Sequence, residues 1–283
     1  MNSGHPSIFV SHGSPMIALE PGAAGAFMQC LGRAIDALFG RPAAILAVSA
    51  HTSARSPLLL AAPSHAAVHD FGNFDPKLYT LRYDAPGTPD LAQDVAALLA
   101  EAGLRVPVVP QGGLDHGIWT VLRYLYPDAE VPVLPLAFVP GDSPEQQFAL
   151  GAALAPLKNS GVLVLGSGNI THNLRRALAG GLRGPTDLPE IAESAAFRQW
   201  MLERSAARDW PALFDYRQRA PHAVDMHPTD EHLLPWYVAA GAGGHEAAPR
   251  RLHASVTMGS LGMDAYAFGA GADLLEAALT ARA

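Results

Sequence analysis

Gly161-Val-Leu-Val-Leu-Gly166-Ser167-Gly168-Asn169-Ile170-Thr171-His172 is the stretch on which the fold turns. A β-branched and leucine-rich run without alternation reads as a strand covered on both faces, the habit of parallel sheets in α/β proteins. Glycines then turn the chain and a histidine follows at once. Two earlier apolar runs end the same way: Ile8-Phe9-Val10 leads into Ser11-His12, and the run from Ala43 to Ala50 leads into His51. In an open α/β sheet, ligands bind in the crevice outside the carboxyl ends of the strands. Histidines delivered there from distant parts of the chain can converge on one point, as a metal centre requires.

Outside this stretch, short apolar runs alternate with Ala/Leu-rich amphipathic segments, the pattern of βαβ units. The expected strands are Ser7–Val10, Ala43–Ser49, Pro57–Ala61, Arg105–Val109, Val131–Ala137, Gly161–Gly166 and Leu252–Met258. The expected helices are Ala23–Leu38, Asp90–Ala102, Ile118–Leu125, Ser143–Leu157, Ala192–Ala207 and Thr229–Ala240. Pro89 before Asp90, Gly103 after Ala102, and Ser143-Pro144-Glu145 are start and stop signals. These elements imply a single three-layer α/β domain over residues 1–283. Its central sheet is mostly parallel with helices on both faces, and its active site lies at the carboxyl ends of the strands. The Gly/Pro-rich stretches 180–189 and 242–250 read as surface loops rather than linkers. Residues 63–89 stand apart, poor in helix signals and rich in His, Asp, Phe, Tyr, Gly and Pro. Segments of that kind inside compact domains are often functional.

Composition narrows the partners. A chain of 283 residues, 49% hydrophobic and 16% charged, can bury a sizeable core. A net charge of −7 without a run of Lys or Arg argues against a nucleic-acid partner, which needs a basic stripe. Cys30 is the only cysteine, so it forms no internal disulfide and no cysteine-based metal site; a reducing compartment is expected. The start, MNSGHPSIFVSHGSP, lacks the basic and apolar regions of a signal peptide. No apolar stretch reaches the roughly 20 residues of a spanning helix. A soluble, cytoplasmic protein without a membrane partner is the expectation, and a homo-oligomer is compatible with it.

Each histidine has a functional reading and a bland one. His12, in Ser11-His12-Gly13-Ser14-Pro15, sits at a strand end facing a crevice or caps the next helix. His51 follows small Ser49 and Ala50, which leave room for another group; alternatively it is a buried histidine bonded to a carbonyl. The two together favour a site, because their strands are expected to be adjacent in the sheet. His172 follows a glycine turn in which Asn169 or Thr171 can cap a helix. A phosphate cradle there is weak, since the spacing matches neither Walker A nor the dinucleotide fingerprint and no lysine follows. His116 is oriented or charged by Asp115, or else Asp115 caps a helix starting near Ile118 and leaves His116 exposed. His227 and His232 are five apart, so only one is expected to face a site, and they do not form the HExxH motif. Thr229 reads as the cap of their helix. His69 can line an aromatic substrate pocket with Phe71, Phe74 and Tyr79. His5, His65, His222, His245 and His253 read as surface or structural, and Cys30 as core. No G-x-S-x-G elbow is present, which argues against a serine hydrolase.

Six motifs occur in order: Ser-His-Gly-Ser-Pro at 11–15, Ser-Ala-His at 49–51, His-Asp-Phe-Gly at 69–72, Gly-Leu-Asp-His-Gly at 113–117, Gly-Ser-Gly-Asn-Ile-Thr-His-Asn at 166–173 and His-Pro-Thr-Asp-Glu-His at 227–232. With them the chain resembles the class III extradiol ring-cleaving dioxygenases, in the DOPA 4,5-dioxygenase-like branch, from residue 7 to about 260. The resemblance implies that His12, His51 and His232 are metal ligands, His172 the acid/base histidine, and His116 a second histidine close to the substrate. In protocatechuate-cleaving relatives the third ligand is a glutamate, and here Glu231 adjoins His232. Thr52 stands where the branch often has Trp, and Asn73-Phe74-Asp75-Pro76 where it often has Gly-Gly-Phe-Pro. Both departures fall where substrate contacts are expected.

The implied cofactor is one divalent ion per chain, Fe(II) or Zn(II), and the implied substrates are a catechol and O₂. A histidine-rich site with open positions suits Fe(II), while an all-histidine site also suits Zn(II), which has no redox chemistry. A zinc-dependent hydrolase or lyase using the same ligands, and a non-enzymatic binding protein, remain as alternatives at this point.

Overall fold

The computed structural model describes residues 4–179, 181 and 186–281. In chain order its strands begin with β1 (Ser7–Ser11), β2 (Ala44–Ser49), β3 (Leu58–Leu60), β4 (Ser64–His65), β5 (Ala85–Pro86) and β6 (Val108–Val109). They continue with β7 (Val133–Ala137), β8 (Val162–Gly168), β9 (Arg250–His253), β10 (Val256–Thr257), β11 (Leu261–Gly262) and β12 (Ala265–Phe268). Eight of these form one sheet in the order β6-β3-β7-β2-β8-β1-β12-β9, and β4/β5 and β10/β11 form two-stranded ribbons. The centre is parallel: β2 pairs with β7 and β8, and β8 pairs with β1. Antiparallel pairs close the sheet at β3/β7, β1/β12 and β12/β9.

The helices are α1 (Gly22–Phe39), α2 (Pro89–Glu101), α3 (His116–Leu125), α4 (Pro144–Leu154), α5 (Leu174–Ala177) and α6 (Ala192–Ala206). After them come α7 (Trp210–Phe214), α8 (Tyr216–Arg219), α9 (Ala223–Met226), α10 (Leu234–Gly243) and α11 (Ala272–Thr280). Alternate strand residues feed two cores. Ile8, Val10, Ile45, Ala47, Leu163 and Leu165 pack with Met28 and Ile35 of α1 and Ile118 and Leu122 of α3. Phe9, Leu46, Val48, Val162 and Val164 pack on the other face with Leu150 of α4 and Trp236 of α10. A side chain moved from water into such a core contributes about 1.5–3 kcal/mol, so both faces need their helices. This is why the central strands carry no polar alternation. Among the described residues no helix is long and apolar enough to cross a membrane.

The structure corrects several expectations. β1 and β2 are not neighbours, because β8 lies between them and Leu165 pairs with both Ile8 and Ala47. In the run expected at 105–109 only Val108 and Val109 form the strand, and Pro107, with no amide hydrogen to donate, joins only by accepting the Leu59 amide at 2.9 Å. The run expected at 252–258 splits between β9 in the main sheet and β10 in a ribbon. Pro156 ends α4 early, and a 3₁₀ turn follows from Ala155 to Ser160. Pro235 sits in the first turn of α10, so the helix begins at Leu234 and not at Thr229. The stretch 242–250 starts inside α10 and ends at the first residue of β9. β12, α11 and the short helices between 210 and 226 were not anticipated. Of the loop expected at 180–189, residues 180 and 182–185 lie outside the described residues. Before α2 begins at Pro89, residues 63–88 hold the β4/β5 ribbon, a single bridge from Ala67 to Leu114 and a 3₁₀ turn at Pro76–Thr80 that is capped by Asp75.

Candidate metal centre

Two strand ends, and a turn docked on the strand between them, deliver the site. His12 follows β1 directly, and its amide donates to the Gly168 carbonyl at 2.9 Å, extending the β1/β8 ladder. His51 stands two residues past the end of β2. His232 lies in the turn before α10, where its carbonyl accepts the Asn169 amide at 2.8 Å. The glycines of Gly166-Ser167-Gly168 explain that docking. A Cβ on Gly168 would lie 2.0 Å from the His232 carbonyl oxygen, and one on Gly166 would lie 2.3 Å from that of Pro235. The motif is therefore strand rather than anion-binding loop, and its bare backbone admits the segment that carries His232.

The hydrogen bonds assign the imidazole protons. Ser167 donates its hydroxyl to the Gly117 carbonyl at 2.6 Å, so its oxygen accepts from His12 Nδ1–H at 3.0 Å. Glu231 Oε1 accepts from His232 Nδ1–H at 3.1 Å and from Thr229 Oγ1 at 2.9 Å. His51 Nδ1 faces the Asp70 carboxylate at 3.7 Å. His12 and His232 thus hold their protons on Nδ1 and turn their Nε2 lone pairs inward, while the nearby carboxylate favours the same tautomer for His51. His51 Nε2 lies 3.2 Å from His12 Nε2 and 3.3 Å from His232 Nε2. Unprotonated nitrogens at that separation repel one another unless a cation joins them. Two nitrogens about 2.1 Å from one ion at the tetrahedral angle are about 3.4 Å apart, so the His51–His12 and His51–His232 pairs each have the spacing of two ligands of one metal.

Two more imidazoles adjoin. His116 is buried at the start of α3, and one ring nitrogen each of His12, His51 and His116 lie within 4.8 Å of one another, so the structure brings His116, expected beside the substrate, to ligand distance as well. His172 stacks on His232 with ring centroids 3.4 Å apart and planes 9° from parallel. Burial, reinforced by the neighbouring imidazoles, pushes His12, His172 and His232 well below the ordinary histidine pKa. His51 falls to about 4, mainly through burial, against the raising effect of Asp70 and Glu231. Neutral imidazoles are the form a metal requires. A cavity of about 510 Å³, lined by Asn173, Leu174, Thr229 and Glu231 among others, opens onto His172 and His232.

Some local expectations change. Asp115 caps α3 by accepting the Ile118 amide at 3.2 Å, and it also takes the Ser49 and Thr52 hydroxyls, tying α3 to the end of β2. It does not hold His116, which is buried and not exposed. Asp70 does: Oδ1 accepts the His116 amide at 2.9 Å and Oδ2 accepts Nδ1–H at 3.0 Å. The residue reading missed Asp70 and Ser167, although Asp70 lies inside the His69–Gly72 motif. Asn173 caps α5, while Asn169 accepts the Gly13 amide and Thr171 bonds across to Gly262. Thr229 caps no helix. His227 is buried and donates to the Ile170 carbonyl at 2.7 Å, so of the pair only His232 faces the cluster.

The aromatic loop reaches the cluster through one ring. Phe71 meets His116 edge to face at 5.6 Å. His69 donates to the Leu81 carbonyl at 3.2 Å, and it and Tyr79 stand behind Phe71 with centroids 5.8 and 5.3 Å away. Phe74 also packs on Phe71. His5 and His65 bond to backbone in the interior, and His253 stacks on Phe27.

A profile of the family described as the catalytic LigB subunit of aromatic ring-opening dioxygenase matches residues 6–269. The chain belongs to this family. Within the class III extradiol dioxygenases, the 4,5-DOPA dioxygenase extradiol of Beta vulgaris is 33% identical over 265 residues, 93% of this chain and 96% of that protein. The protein of the same name from Escherichia coli K12 is 34% identical over 265 residues, covering 91% and 92% respectively. A crystal structure of an uncharacterised E. coli K12 protein matches with a TM-score of 0.74 at 28% identity, covering 93% of this chain and 99% of that one. Membership makes this LigB-family chain an extradiol ring-opening dioxygenase and sets aside the non-enzymatic alternative.

Proposed function

We propose that this dioxygenase opens the ring of a catecholic, DOPA-like substrate with O₂ at one Fe(II) held by His12, His51 and His232, a site that would also take Zn(II) but without oxygen chemistry. Residues 1–283 act in this reading as one catalytic domain in the cytoplasm. The approach of the His12 and His232 Nε2 atoms to that of His51, with His12 and His232 each fixed by an acceptor at Nδ1, carries the proposal. A bound divalent ion lowers the pKa of a catechol hydroxyl, and ferrous iron can also activate O₂. His172, neutral and stacked on His232 at the cavity wall, takes the catechol proton and returns it later as general acid. His116 presents its Nε2 beside the cluster as a second proton acceptor. Phe71 forms the aromatic wall next to His116, with His69 and Tyr79 supporting it. The names of the relatives support a DOPA-like ring.

The test is oxygen uptake with L-DOPA and a panel of simpler catechols. Iron-loaded protein is expected to consume O₂ and yield a ring-opened product, and zinc-loaded protein to consume none. No uptake by iron-loaded protein with any catechol overturns the proposal and favours the zinc-dependent hydrolase or lyase, which an all-nitrogen donor set would suit.

The choice between His232 and Glu231 as third ligand is separately testable. Because Glu231 Oε1 is engaged by His232 Nδ1 and Thr229, it is assigned behind the ligand. His232→Ala is expected to abolish stoichiometric zinc binding, whereas Glu231→Gln should weaken it about 10–100-fold, the usual effect of an outer-shell partner. A zinc-replete His232→Ala protein alongside an empty Glu231→Gln protein reverses the assignment.

A further inference from the structure

The loop carrying His69-Asp70-Phe71-Gly72 comes from a part of the chain far from β1, β2 and β8, yet it encloses His116 on two sides. Phe71 meets the imidazole edge to face, with the planes at 88°. Asp70 grips the same residue twice, through the backbone amide at 2.9 Å and through Nδ1–H at 3.0 Å. The oxygen that receives His116 Nδ1 also faces His51 Nδ1 at 3.7 Å. One carboxylate therefore addresses two imidazoles of the cluster. An ionised carboxylate only accepts hydrogen bonds, so the proton on His116 must sit on Nδ1. Its Nε2 is left with a lone pair.

We propose that Asp70 is a positioning residue that holds His116 in the Nδ1–H tautomer, with Nε2 turned to the cluster as a proton acceptor for the substrate. This rests on the dioxygenase reading given above for the role of His116, but the tautomer itself does not. The carboxylate acts through His116 and touches neither substrate nor oxygen. Asparagine has the same shape, and its carbonyl can still accept the His116 amide. Its NH₂ would then face Nδ1 and donate to it, so the Nδ1–H tautomer is lost and Nε2 becomes the protonated nitrogen.

Histidine ¹H–¹⁵N correlation spectra of zinc-loaded protein read the tautomer directly. Wild-type protein is expected to show His116 as Nδ1–H, and Asp70→Asn as Nε2–H, with zinc content and melting temperature retained. In iron-loaded enzyme with L-DOPA, Asp70→Asn is expected to lower kcat about 10–100-fold with a smaller change in KM. Asp70→Glu should recover part of the loss. The double variant Asp70→Asn/His116→Gln should be no slower than His116→Gln alone, because residues acting as a unit are not additive. An unchanged His116 tautomer in Asp70→Asn overturns the proposal, as does additive loss in the double variant or loss of zinc from the single one. If wild-type iron enzyme shows no catechol-dependent oxygen uptake, the dioxygenase reading fails, and the spectra still decide what Asp70 does to His116.

Discussion

His172→Ala should keep its metal and lose turnover by about 10²–10⁴-fold, the range of general acid–base help, whereas His12→Ala should lose the metal itself. The difference follows from where the two rings stand. His12 is fully buried, its Nδ1–H is committed to Ser167, and its Nε2 lies 3.2 Å from that of His51. His172 lies against the face of His232 and borders the cavity, so it meets a substrate held there without being needed to hold the ion. Metal content by elemental analysis, paired with single-turnover rates on iron-loaded protein, separates the roles. Equal metal loss in both variants would place His172 among the ligands. Unimpaired turnover in His172→Ala would remove it from the proton chemistry.

A single methyl group at Gly168 is expected to cost nearly as much as a ligand. An alanine Cβ would sit 2.0 Å from the His232 carbonyl oxygen, a contact that backbone cannot relieve without moving. Restoring an ordinary separation needs a displacement of about 1 Å or more, while metal–ligand distances tolerate only about 0.2 Å. Gly168→Ala should therefore lower the stability of the metal-free protein by about 1–3 kcal/mol through overpacking and deplete bound zinc as well. Gly141→Ala, whose Cβ would meet nothing within 4 Å, is the control and should change neither. Urea midpoints of chelated protein and zinc content after dialysis measure the two effects. A Gly168→Ala protein that keeps both wild-type stability and full zinc would refute the role given to close strand–turn contact.

The sheet and its histidines were legible because burial on both faces leaves a plain mark. Runs such as Ala44–Ser49 and Val162–Gly168 have no polar alternation, and helical segments of recognisable period separate them. The elements that escaped are short or interrupted. β12 has four residues, and the helices between 210 and 226 are a turn or so each, too brief for a period to show. The start of α10 was misplaced because the acidic residues at 230 and 231 imitate a first helical turn, whereas Pro235 sets the true one. His232 therefore stands in the turn before the helix and not within its first turn. His232 nonetheless reaches the cluster, through the bond between its carbonyl and Asn169.

Taken alone, the chain determined which residues could do chemistry and that strand ends would present them, because apolar periodicity and residue type are local properties. Which histidines meet, and which proton each one carries, was decided only by the tertiary structure. β8 passes between β1 and β2, the glycines at 166 and 168 let the turn before α10 lie on it, and Asp70 arrives from a distant loop. A neutral imidazole is the same residue in either tautomer. Only an acceptor placed by folding at Nδ1 makes Nε2 a ligand or a base.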